Sequence, residues 1–320
     1  MKNWHWFHTF ALIVIVFVII LIGTFFLPWP LVKGSSISSL ITWWVMLVLL
    51  TLFVLILGHG TTGRFVGALI DQRNKISLSR LQLIIWTIVI LSAFITAAFW
   101  NLINSKVGPL GIALPSEVWL LLGISTASLV GSPLILSNKT KTDANQGELQ
   151  QQLLLKARQQ NVSADPTLLS NQALVSDATN PALITDLKNK LHVDVLGQVP
   201  RNTQPDEASV ADLFQGDEVG NFSQLDMSKV QLFLFTLVLV LTYASALGTM
   251  FANADSIKGI SSFPILDQSM IVLLGISHAG YLSFKAIPHS TPPDQISMAT
   301  PGAQTTIPVS TAQTNGASVI

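Results

Sequence analysis

The sequence predicts an all-α membrane protein: a six-transmembrane-helix bundle with an internal parallel repeat of a two-helix hairpin and a small helical cytoplasmic insert. Three observations predict it. Half of the 320 residues are hydrophobic and only 11% are charged, against about 25% in ordinary soluble domains. Six runs are apolar enough, at about 20 residues each, to cross roughly 30 Å of hydrocarbon. Two pairs of those runs share residues at equal spacing.

The sharing is specific. Ser79-Arg80-Leu81-Gln82-Leu83 opens a run that carries Trp86-Thr87 and Val89, and Ser228-Lys229-Val230-Gln231-Leu232 opens one with Phe235-Thr236 and Val238. The run that follows each shares a second stretch, Leu121-Leu122-Gly123-Ile124-Ser125-Thr126-Ala127 and Leu273-Leu274-Gly275-Ile276-Ser277-His278-Ala279.

The expected spans are Thr9–Leu27, Ser39–Leu57, Leu81–Trp100, Val118–Leu136, Val230–Phe251 and Gln268–Ile287. The first is longer than a signal-peptide core and is followed by Leu27-Pro28-Trp29-Pro30 rather than a small-residue cleavage site, so it reads as a retained span. Trp4, Trp6 and Phe7 before it and Trp29 after it fit an interfacial aromatic belt. With the N-terminus inside, fourteen basic residues lie on the cytoplasmic side and three, Lys33, Lys106 and Lys258, outside. Positive charge favours the cytoplasmic side, so both termini are expected there, in a multi-pass protein of the inner (cytoplasmic) membrane. Both hairpins then start inside, which makes the repeat parallel rather than inverted. The chain divides into two N-terminal spans (1–60), a basic loop (61–78), hairpin one (79–137), the insert (138–227), hairpin two (228–287) and a tail (288–320).

Ser77 or Ser79, and Asp226 or Ser228, are candidate caps for the amides left free at the helix starts. Arg80 and Lys229 are expected at the interface, stems on apolar surface and charges on lipid phosphate. Gly123, Ala127 and Gly131, and Gly275, Ala279 and Ser283, repeat small residues every fourth position, a pattern that lets helices approach closely. A second face carries Ser125, Ser128 and Ser132 in one copy and Ser277 in the other. With Gln82, Gln231 and His278 these residues define a possible polar path; the competing reading is hydrogen bonding between helices in a dry interior. His278 is the clear ionisable residue inside a span, and no acid lies at the centre of any, which counts against ion-coupled transport.

Soluble chemistry has little to work with. Gly58-His59-Gly60-Thr61-Thr62-Gly63-Arg64 approaches a phosphate loop, but Arg64 and Phe65 replace the needed Lys and Ser/Thr. There is no cysteine. No catalytic residue, metal site or cofactor is expected, and the neutral net charge gives no pull toward nucleic acid.

The insert holds twelve acids and seven bases between Asn138 and Met227. Short helices are expected at Asn145–Gln160, with Leu149, Leu153, Leu154 and Ala157 on one face, from Asn180-Pro181 to about His192, and at Glu207–Phe214, with Val210, Leu213 and Phe214 apolar. Its apolar content looks thin for a core of its own. The tail is rich in Ser, Thr, Pro, Gln and Gly and is expected to be flexible or ordered by a partner.

Leu69 through Gln82, Ala211-Asp212-Leu213-Phe214-Gln215-Gly216-Asp217-Glu218, Leu225 through Gln231, Leu274 through Tyr281 and Ile287-Pro288-His289-Ser290 resemble a family of uncharacterised bacterial integral membrane proteins. The resemblance spans about Gly58 to Ser290 and implies a membrane protein of this layout, with no activity to carry over.

The expected function is a non-enzymatic membrane scaffold or subunit, a homo-oligomer or part of a larger membrane complex. It would contact membrane lipids and meet cytoplasmic protein partners through insert and tail. The alternative is a passive channel or transporter with a serine-lined path.

Overall fold

A computed structural model describes residues 4–26, 36–104, 108–167, 179–254 and 258–291. In chain order the elements are α1 (Trp6–Leu21), prolonged by a π turn at Ile22–Phe26, α2 (Ser36–Thr62), α3 (Leu78–Asn104) and α4 (Ser116–Lys139). The insert contributes α5 (Gln146–Gln159), α6 (Pro181–Lys190) and a hairpin of β1 (Val193–Leu196) and β2 (Val199–Asn202). Then come α7 (Met227–Ala252) and α8 (Gln268–Ala286).

Among the described residues five helical stretches, Trp6–Phe25, Ile37–Thr62, Leu78–Asn104, Ser116–Lys139 and Met227–Ala252, are long and apolar enough to cross a membrane. The sixth expected run is also a helix, α8, of 19 residues. It misses the apolar standard of the other five because Gln268, His278 and Lys285 interrupt it. α2 packs on α3 and α7, α3 on α4 and α7, and α8 on both α4 and α7, with α1 against α2. The bundle core is aromatic: Trp43, Trp86, Trp100, Tyr243 and Phe251 are buried together with Leu121 and Leu247.

Polar pairs pin this apolar bundle where backbone packing alone would leave its register loose. Trp43 Nε1 donates to Ser92 Oγ at 3.2 Å, and Ser39 Oγ to the Phe251 carbonyl at 2.7 Å. At the end away from the insert the loops of the two helix pairs join. The Ala113 amide donates to the Ser261 carbonyl at 2.8 Å and the Phe263 amide to the Ala113 carbonyl at 3.1 Å. Asn101 brackets Ile260, donating to its carbonyl and accepting from its amide, both at 2.7 Å. At the other end the His8 and His59 rings share a hydrogen bond of 2.8 Å, which ties α1 to α2. The glycine-rich stretch around His59 continues α2 rather than leaving it. A Cβ on Gly58 would stand 2.7 Å from the Ala68 amide nitrogen, so only glycine lets the following turn, Phe65–Leu69, fold back onto the helix.

The insert departs from expectation in three ways. It contains a β-hairpin, because Val193, Val195 and Val199 favour extended backbone and Gly197 turns the chain at φ +56°, a conformation glycine adopts without penalty. It also has its own core, in which Leu149, Leu153 and Ala157 of α5 meet Leu183, Ile184 and Leu187 of α6, closed by Val193, Val219 and Phe222. The apolar face of α5 and the start of α6 were legible; their closure by residues 193–222 was not. Asn145 and Asn180 cap the two helices, each accepting from two backbone amides. The expected helix at Glu207–Phe214 is two short 3₁₀ turns, Pro205–Glu207 and Val210–Leu213. Leu213 is buried beside Ile70, Leu232 and Tyr281, while Val210 stays exposed. The tail begins anchored, since Gly220 donates its amide to Ser290 Oγ at 2.9 Å. The remainder of the tail expectation, and Trp29, Lys33 and Lys106, lie outside the described residues.

Candidate functional site

Two consecutive acids of the insert, Asp217 and Glu218, carry the main polar site. A tight turn presents them: the Gly216 amide donates to the Gln224 carbonyl at 3.1 Å, and the Glu218 amide to Asn221 Oδ1 at 3.0 Å. Asp217 binds Arg73 at 2.7 Å, Lys229 at 3.0 Å and Lys285 at 2.7 Å. Glu218 pairs with Lys139. Lys139 also donates to two carbonyls at the end of α8, Lys285 at 2.6 Å and, just past the helix, Ile287 at 2.8 Å.

The four cations come from four places. Lys139 ends α4, Lys285 ends α8, Lys229 starts α7, and Arg73 sits in the loop before α3. That loop is a hydrogen-bonded turn, with the Asp71 amide donating to the Lys75 carbonyl at 2.9 Å and Asn74 at φ +56°. Asp71 also holds the Arg73 guanidinium at 2.8 Å. Burial alone would push the Asp217 carboxyl up, but Lys229, Lys285 and Arg73 hold it well below the usual carboxylate range. The same argument in reverse keeps Arg73 charged: burial would lower its pKa, and Asp217 and Asp71 raise it above the ordinary value. A buried ion pair is costly to break from one side, because it leaves an uncompensated charge. The cluster therefore works as a latch between insert and bundle.

Lys75 lies next to the latch without joining it. It is 3% exposed, and its ammonium stands 6.0 Å from the Phe222 ring centre, with Lys156 at 5.8 Å from the same ring. Burial, helped by Arg73 and opposed by Asp212, pushes the Lys75 ammonium down to about 7. Lys156 is lowered chiefly by burial as well.

The predicted polar path divides into two unconnected places. Ser128 and His278 share a hydrogen bond between α4 and α8. One turn nearer the insert, Lys285 donates to Ser132 Oγ at 2.6 Å and to the Tyr281 hydroxyl at 2.9 Å, which joins the stripe to the latch. Ser125, Ser277 and the Nε2 of His278 are buried there without a hydrogen-bond partner. Gln82 instead donates to Thr236 between α3 and α7. Gln231 is exposed and does not meet Gln82, because α7 turns that side of its first turn outward while Lys229 and Leu232 face in. Lys229 is likewise not at a lipid surface: at 4% exposure it belongs to Asp217. Asp226 caps α7 as expected, accepting from the Ser228 and Lys229 amides. Ser79 is not a cap; it lies within α3 with a buried, unpartnered hydroxyl.

The small-residue faces point the other way. Gly123, Ala127, Ala279 and Ser283 are exposed, and a Cβ on Gly123 would meet nothing within 4 Å. A Cβ on Gly131 would meet Leu282 of α8, and one on Gly275 would meet Ile124 of α4, at ordinary contact distances. Gly123, Ala127, Ala279 and Ser283 therefore do not hold α4 to α8; the serine and histidine face does, with Gly131 and Gly275 at its edge.

Sequence reasoning missed Arg73, Lys139, Asp217, Glu218 and Lys285 as one site. The available signal was four cations at equivalent ends of different segments facing an acidic insert. Among the described residues no group of three or more His, Asp or Glu side chains could hold a metal ion. No family model, curated protein or solved structure matches the chain.

Proposed function

We propose that this chain is a non-enzymatic scaffold or subunit of an inner-membrane assembly. It spans the bilayer six times, with termini and insert in the cytoplasm, and self-associates through the small-residue faces of α4 and α8. The observation that carries this reading is the outward turn of those faces. Gly123, Ala127 and Ala279 have no packing role within the chain, and small residues at four-residue spacing are what lets membrane helices meet closely.

Counting α8 as the sixth span is supported by its length of about 28 Å, at 1.5 Å per residue. Its polar residues Ser277, His278 and Lys285 are buried against α4 and the insert rather than toward lipid. The parallel repeat is supported by the matched contacts of α3 with α4 and α7 with α8, and by those of α3 with α7 and α4 with α8. The latch orders the insert over one end of the bundle, where it and the tail can be read by a cytoplasmic protein. A channel has the three unpartnered groups at Ser125, Ser277 and His278 in its favour. Against it, Ser128 and Ser132 are already bonded inside a buried helix contact, and the stripe has neither an acidic ring nor a carbonyl filter to select an ion.

Native mass measurement of the nanodisc-embedded protein tests the scaffold. Wild type should be oligomeric, and Gly123→Leu should lower the copy number while monomer melting stays unchanged, since open space surrounds that position. A monomeric wild type, or an oligomer indifferent to Gly123→Leu and Ala127→Leu, would sink the proposal.

A further inference from the structure

A cavity of about 670 Å³ opens between the start of α3, the end of α4 and the β-hairpin of the insert. Its bundle wall is apolar, made by Leu83 and Ile84 of α3 and Leu129, Pro133 and Leu136 of α4. Its insert-side wall carries Ser79, Arg80 and Arg201. The volume lies in the range of small-molecule sites. The division into a greasy half and a cationic half suits an amphiphile with one anionic end.

Two groups in this wall have bonding capacity to spare. Ser79 is 1% exposed and its hydroxyl has no partner, an unfavourable state for a buried polar atom unless something accepts from it. Arg80 donates from one nitrogen to the Ile70 carbonyl at 2.7 Å and makes no ion pair among the described residues. A guanidinium has five donors, so most of its fork is free. The other charges of the lining are spent. Arg73 is shared by Asp71 and Asp217, and Arg201 is held by Asp194 at 2.9 Å. Asp71, the acid of the lining, is taken up by Arg73. The cavity thus presents one uncompensated cation beside an apolar trough, with one unpaired hydroxyl buried in its wall.

We propose that this cavity binds an anionic phospholipid of the cytoplasmic leaflet, its phosphate on Arg80 and Ser79 and its acyl chains along the α3–α4 trough. Basic pockets between membrane helices on the cytoplasmic side recognise such headgroups through the same chemistry. A free phosphate would satisfy Arg80 and Ser79 equally well but would leave Leu83, Leu129 and Leu136 facing water, so the apolar wall selects the lipid. Because Leu196, Val199 and Arg201 of the insert also line the cavity, a bound lipid touches insert and bundle at once. The proposal needs the membrane reading of the chain but not its self-association.

The test is native mass spectrometry of the delipidated full-length protein, titrated with dioleoyl-phosphatidylglycerol, dioleoyl-phosphatidylcholine or inorganic phosphate. The phosphatidylglycerol should bind at least about tenfold more tightly than the phosphatidylcholine, as expected of charge-assisted hydrogen bonds. Arg80→Gln should lose about tenfold and Ser79→Ala about threefold, with copy number unchanged. Ser79→Ala removes an atom that bonds to nothing in the protein, so its effect is read on an intact fold even if Arg80→Gln folds poorly. Equal binding of the two lipids, or wild-type affinity in Ser79→Ala and any folded Arg80→Gln, overturns the site. Displacement of the lipid by millimolar phosphate also overturns it, in favour of a soluble phosphate ligand.

Discussion

The helix pairs α3–α4 and α7–α8 start from similar residues, Ser79-Arg80-Leu81-Gln82 and Ser228-Lys229-Val230-Gln231, yet their surroundings differ at each matched position. Ser79 is buried and unpartnered, while Ser228 bonds to the Asp226 cap. Arg80 borders an open cavity, whereas Lys229 is sealed against Asp217. Gln82 crosses to Thr236, and Gln231 faces outward. The cause is the insert. It leaves the end of α4 and re-enters at the start of α7, so it must cover those two ends, while its hairpin and its Ala208–Phe214 stretch meet the start of α3 from one side. Similar sequences read out differently when a third element docks on one side of both.

Three substitutions probe that asymmetry. The largest effect is expected at its centre. Asp217→Leu leaves Arg73, Lys229 and Lys285 buried without their common partner and should cost about 3–5 kcal/mol. Lys229→Met should cost part of that, and Arg80→Met under about 1 kcal/mol, since Arg80 is half-buried and makes one hydrogen bond but no ion pair among the described residues. Melting of the three variants in detergent ranks them; equal losses at Lys229 and Arg80 would mean the two positions are equivalent after all.

Next in size is Lys75, the buried cation that the latch leaves out. Its pKa falls from 10.5 to about 7 in the folded protein. Below about pH 7 both states hold the proton and the full burial penalty applies. Between about pH 7 and 10.5 the unfolded chain binds more protons, so stability rises with pH, by about 1.4 kcal/mol per unit from this group. Lys75→Met should be more stable at pH 7 and lose that slope. Parallel melting curves for wild type and variant from pH 7 to about 9 would show that Lys75 is not the source.

The smallest contrast sets Gln82 against Gln231. Gln82→Leu should cost about 0.6 kcal/mol, the usual worth of one hydrogen bond between membrane helices. Gln231→Leu should fall within about 0.5 kcal/mol of zero, as exposed positions do. The reverse order would place the wrong glutamine inside.

What the sequence determined by itself was whatever depends on local composition and period. Apolar runs of sufficient length must be helices in lipid, where each backbone group needs an internal partner, and α1 to α4, α7 and α8 are legible for that reason. Asp226 announced its helix because a capping oxygen acts within three residues of itself, and Asn180-Pro181 announced another because proline suits the first helical position. Tertiary structure alone decided which face of each helix turned inward. Gly123 and Ser125 are two residues apart, and the choice between them came from His278, about 150 residues away in sequence. The latch was hidden for the same reason. Asp217 lies 144 residues from Arg73, and Coulomb attraction between them is set by separation in space, which no local pattern encodes.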